Sequence, residues 1–128
     1  MTAAYTTFTI EKRGRADWLT LNRPDQLNAI SLKMAEELDA YFGALATDRE
    51  TRVVVMRGAG RAFCAGLDIK ERAGRNKDDE PFGGGYGFQG LLAGVYIKMR
   101  RCPQPILALI QGPAAGGGFA FALAADIR

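Results

Sequence analysis

The sequence predicts an α/β layered fold. Three observations predict it: a period-two hairpin near the N-terminus, a strand–helix–strand alternation after it, and two buried strands that each run into a glycine-bearing corner and a helix start. A chain of 128 residues is sized for one domain, and 48% hydrophobic with 24% charged residues is a globular composition.

The elements follow in order. "YTTFTIEKRG" alternates with Tyr5, Phe8 and Ile10 among its apolar positions, and "RADWLTLNRP" resumes after the turn residues Arg13-Gly14, which makes a hairpin. Pro24 stops the second strand, and Asn22 to Asn28 reads as a polar loop. Ser31 is an N-cap, and Ala35, Leu38, Phe42 and Leu45 recur at spacings of three and four, the apolar face of a helix ending near Thr47 or Asp48. "RVVVMRG" is a short β-branched run, hence a buried strand reached by a right-handed crossover. "IKERAGRNKDDEPFGGGYGFQG" is charged and then glycine-rich, and predicts a mobile lid or binding loop over roughly residues 73–87. "GLLAGVYIKMRRC" is helical through Leu91, Leu92, Val95, Tyr96 and Met99, and Pro103 and Pro105 end it. "ILALIQG" is a second buried strand, and "GGGFAFALAAD" opens a helix of small residues. No returning strand is visible after that helix, so the pattern predicts a partial domain whose last helix lacks a covering layer.

Composition narrows the function. No apolar run reaches the length of a membrane span, and "MTAAYTTFTIEKRG" lacks a basic region followed by an apolar core, so the cytoplasm is the expected location and no membrane partner is expected. Cys64 and Cys102 read as reduced thiols. Cys64 sits in a motif-like stretch, but the chain has 0 histidines, which removes Cys–His and Ser–His pairings and the usual zinc ligand sets; no metal is expected. The net charge of +3 comes from scattered basic residues apart from "KMRR" at 98–101. That distribution suits an anionic small molecule at least as well as a nucleic acid, and no nucleic-acid partner is expected. "GAGRAF" fails G-x-G-x-x-G at its third glycine, and there is no G-x-x-x-x-G-K-[ST], so nucleotide folds have no support.

The two corners, "GAGRAFCAGLDIKE" and "GPAAGGGFAFALAAD", share one plan: buried strand, glycine turn, helix start. Glycine allows positive φ and close approach to the backbone, and a helix N-terminus presents unpaired N–H donors. Two such ends facing each other would hold a negatively charged oxygen. Tight packing alone is the competing account of the same glycines.

The stretches "LTLNRPDQLNAIS", "VVVMRGAGRAFCAGLDIKE", "PQPILALIQG" and "GPAAGGGFAFALAAD", in that order and spacing, resemble the crotonase superfamily, also called enoyl-CoA hydratase/isomerase. The resemblance spans nearly all of the chain. It implies a crotonase-like ββα spiral, two roughly perpendicular sheets surrounded by helices, with residues 1–128 as the N-terminal part of one core domain. It implies an acyl- or enoyl-CoA substrate, with coenzyme A as part of the thioester and no prosthetic group, and a homotrimer or dimer of trimers.

Carried over by motif position, the resemblance makes the backbone N–H groups of Leu67 and Gly117 the two donors to the thioester oxygen. It assigns coenzyme A contacts to Leu27 and Ala29 in the early loop, to Ala62, Ala65, Gly66, Asp68 and Ile69 along the first corner, and to Gly116 in the second. Arg23 and Lys70 are candidates for the phosphates, with an ordinary solvated charge as the competing role for each. Asp68 also reads as the cap of a short helix over residues 68–72.

One departure matters. Hydratases of the family carry a glutamate two residues after the GGG run, and here that position is Ala120, which cannot activate water or move a proton. The family's second glutamate belongs to a segment beyond Arg128. The resemblance therefore implies lyase or isomerase chemistry through a thioester enolate and leaves the reaction open. A non-catalytic acyl-CoA-binding or scaffold member is the alternative.

Overall fold

The computed structural model describes residues 4–74 and 85–128, the last segment without the side chains of residues 85 and 86. The hairpin forms as expected: β1 (Phe8–Arg13) pairs antiparallel with β2 (Ala16–Leu21), with Gly14 at a φ of 60° in the turn. A 3₁₀ turn at Pro24–Gln26 leads to helix α1 (Leu32–Leu45), whose N-cap Ser31 accepts a hydrogen bond from the Met34 N–H. The chain crosses over into β3 (Val53–Gly58), parallel to β2. The first glycine corner, helix α2 (Ile69–Ala73) and helix α3 (Gly85–Arg101) precede β4 (Ile106–Leu109), parallel to β3. The second corner opens helix α4 (Gly117–Ala124).

These strands make one four-stranded sheet in the order β1-β2-β3-β4. Beyond it, strand pairing among the described residues is limited to three parallel bridges: Ile30 with Leu67, Cys64 with Ala114, and Leu107 with Ile127. The core lies between one sheet face and helices α1 and α3. Leu19, Leu21, Val54, Met56 and Ile106 meet Met34, Leu38 and Phe42 of α1 and Leu92, Val95 and Met99 of α3. Burying such side chains contributes roughly 1.5–3 kcal/mol each.

Two expectations change. Helix α3 begins at Gly85, ahead of the Gly90 start that "GLLAG" suggests. The buried Phe88 lies one helical turn before Leu92 and continues the Leu92–Val95–Met99 stripe backward, which the flanking Gly87 and Gly90 hide. The loop expected over 73–87 lies mostly outside the described residues, and its two ends, Ala73 and residues 85–87, are helical. The chain also does return to the sheet after α4. The N–H groups of Asp126 and Ile127 donate to the Ile106 carbonyl and the Ala108 N–H donates to that of Ile127, a pairing too short to show as a periodic pattern. In α4, Phe121 is fully buried while Phe119 and Leu123 remain 53% and 55% exposed.

A buried carboxylate locks the start of the sheet onto α1. Glu37, 8% exposed, accepts hydrogen bonds from the N–H groups of Thr6 (2.8 Å) and Thr7 (2.9 Å) and from the Thr7 hydroxyl (2.6 Å). Burial pushes its pKa up, but the Thr7 hydroxyl and the Thr6 and Thr7 N–H groups outweigh it and hold the carboxyl below its ordinary value. A carboxyl depressed on folding contributes stability that is complete above its unfolded pKa of about 4.3 and is lost as pH falls through the folded value. Glu37→Gln should therefore cost about 1–2 kcal/mol at neutral pH. Denaturant titrations should show that difference shrinking as pH falls below the ordinary glutamate range.

Candidate functional site

Three backbone segments lie side by side: the loop at residues 27–30, the first corner at 63–68 and the second at 113–117. The Ala65 N–H donates to the Leu27 carbonyl (3.0 Å), the Ile30 N–H to the Gly66 carbonyl (2.7 Å) and the Asp68 N–H to the Ile30 carbonyl (3.0 Å). On the other side, the N–H groups of Phe63 and Cys64 donate to the Pro113 carbonyl and the Ala115 N–H to that of Cys64 (3.0 Å). The two glycine corners are thereby stitched together, and the pairing is parallel and strand-like through Cys64 and Ala114.

The glycines are required by this proximity. Gly66 has a φ of 100°, and a Cβ there would lie 2.9 Å from the Ala115 carbonyl oxygen and 3.7 Å from the Gly117 nitrogen. A Cβ on Gly118 would run into the Cys64 carbonyl. Gly116, at a φ of 53°, caps α4 without any side-chain hydrogen bond. Among the described residues, neither the Leu67 N–H nor the Gly117 N–H donates to a backbone acceptor.

The sequence-predicted residues fall around this junction. Leu27, Ala29, Ala65, Gly66, Leu67, Gly116 and Gly117 are on the three stitched segments. Ala62 is buried and its carbonyl accepts from Asn28 and Gln111. Asp68 caps α2 by accepting from the Glu71 N–H, and Ile69 is 78% exposed at the start of that helix. The Glu71 N–H and then Arg23 hold the Asp68 carboxyl below its ordinary value. Arg23 is committed internally, to Asp68 at 2.9 Å and to the Ala29 carbonyl at 2.6 Å, so its geometry is that of a clamp between loop and corner. Lys70 is exposed. Cys64 is fully buried, and burial pushes its thiol up to about 11, so it is protonated at neutral pH and has no character of a nucleophile. Ala120 lies in the first turn of α4, its N–H donating to the Gly116 carbonyl.

Sequence reasoning misses three side chains that shape the junction. Asn28, fully buried at a φ of 56°, accepts from the Arg23 N–H and donates to the carbonyls of Ala59 and Ala62. Its neighbour Leu27 is also left-handed, at 54°, a conformation that costs a residue with a Cβ about 1–2 kcal/mol. Gln111 donates to the carbonyls of Gly58, Gly60 and Ala62. The Tyr96 hydroxyl donates to the Gly117 carbonyl at 2.8 Å. Asparagine's tolerance of left-handed backbone is a usable signal; the other two read as ordinary helix and strand-end residues.

The family model described as enoyl-CoA hydratase/isomerase matches residues 16–128, and the chain belongs to that family. It is 40% identical over 113 residues to a Mycobacterium leprae protein named probable enoyl-CoA hydratase echA12, covering 86% of this chain and 38% of that one. A crystal structure of enoyl-CoA hydratase from Bacillus anthracis superposes with a TM-score of 0.87 at 34% identity, covering 96% of this chain and 46% of that one. A monofunctional enoyl-CoA isomerase from M. smegmatis superposes with a TM-score of 0.75 at 30% identity, covering 95% and 48%. The crotonase-like fold expected from the sequence is therefore the fold of the chain, which spans less than half the length of these relatives.

Asn28→Ala removes the two donors to Ala59 and Ala62 and leaves a left-handed alanine. Chemical denaturation should show a loss of about 2–3 kcal/mol.

Proposed function

We propose that the protein acts on acyl-CoA thioesters, stabilising a thioester enolate between the backbone N–H groups of Leu67 and Gly117. The observation that carries this reading is the contact of the two glycine corners, whose candidate donors have no backbone acceptor among the described residues. The α-carbon of a thioester is a poor acid, and its anion is stabilised by moving charge onto oxygen. Preorganised donors meet that charge as it develops and gain more in the transition state than in the ground state. Backbone donors serve any reaction that passes through the enolate, which fits relatives named as hydratases and as an isomerase. Leu27, Ala29, Ala62, Ala65, Gly66, Asp68, Ile69 and Gly116 border the same junction and are the proposed coenzyme A contacts. Ala120 supplies no acid or base, so proton transfer falls to a group outside the first turn of α4. In the proposed assembly the protein is a trimer or a dimer of trimers.

Gly117→Pro deletes one donor. Assayed against a panel of enoyl- and acyl-CoA thioesters, it should lower kcat/KM by about 10²–10³. Gly117→Ala keeps the N–H and controls for crowding against Ile30 and Tyr96. Unchanged turnover in the proline variant overturns the mechanism, and thioester binding without turnover of any substrate by the unsubstituted protein favours a binding role.

A further inference from the structure

We propose that Tyr96 is a positioning residue for the Gly117 donor, an inference that rests on the enolate-binding reading above. Residues 116–118 are three consecutive glycines, the most flexible backbone the chain could place at a site that needs a fixed donor. The helix they open has no side-chain cap. Backbone bonds hold the run at its edges: the Gly118 N–H donates to the Ala115 carbonyl and the Ala120 N–H to that of Gly116. Among the described residues, the Tyr96 hydroxyl makes the one side-chain hydrogen bond to these glycines, at 2.8 Å to the Gly117 carbonyl.

The surroundings fit that task. The Tyr96 ring packs on Phe121 of α4 at 5.2 Å between centroids, which sets the hydroxyl over the first turn of the helix. A Cβ on Gly117 would lie 3.1 Å from that hydroxyl and 2.8 Å from Ile30 Cδ1, so a larger residue would displace the tether. Burial, and then proximity to Cys64, pushes the phenol well above its ordinary value, so it remains a neutral donor across the neutral range. Packing alone would be served equally by phenylalanine. The hydroxyl restrains Gly117, and a restrained donor loses less stabilisation to reorganisation when charge develops.

The test uses acetoacetyl-CoA, a β-ketoacyl thioester whose enolate absorbs in the near ultraviolet, and reads its enolisation constant when bound. Tyr96→Phe should lower that constant about five- to tenfold while leaving affinity for free coenzyme A unchanged. Fluorotyrosine at position 96, a stronger donor of the same shape, should raise the constant, and this arm stands even if Tyr96→Phe folds poorly. An unchanged constant in Tyr96→Phe, or a matching loss of affinity for free coenzyme A in that variant, overturns the positioning role. No enolate enrichment in the unsubstituted protein overturns the enolate-binding reading itself, and this inference with it.

Discussion

The site depends on the parallel stitching of two glycine corners. The Cys64 carbonyl accepts from Ala115, the Pro113 carbonyl accepts from Phe63 and Cys64, and the Gly66 backbone closes on Ala115 and Gly117. Side chains at positions 66 and 118 would force these backbones apart, so the close approach and the glycines imply each other. The sheet sets the approach at longer range, because β3 and β4 are adjacent and parallel and each delivers its corner at the same end.

The third segment secures the first corner from the other side. Leu27 and Asn28 adopt left-handed backbone, and their strain is offset by buried hydrogen bonds from Asn28 and by the Arg23 clamp to Asp68 and Ala29. Polar side chains here organise backbone, and the backbone then presents N–H groups. That division is how a junction with no histidine and few charged groups comes to present N–H donors.

Much of this is legible in sequence because it rests on local rules. Alternation marks the hairpin, Ser31 marks the start of α1, and glycine after buried strands marks both corners. The hidden parts depend on contacts distant in sequence. Phe88 joins the α3 stripe only because that helix starts at Gly85, and this early start is masked by glycines that local propensity disfavours. Tyr96 and Gln111 acquire partners at separations of 21 and 51 residues, for which no periodicity exists. Arg23 reads in sequence as a free cation because its partner Asp68 is 45 residues away.

The most direct test is a crystal structure of the protein with a bound, non-reactive acyl-CoA thioester analogue. The thioester oxygen should lie within about 2.7–3.1 Å of both the Leu67 and Gly117 nitrogens. An oxygen that contacts neither nitrogen, or a thioester seated away from the two corners, would contradict it.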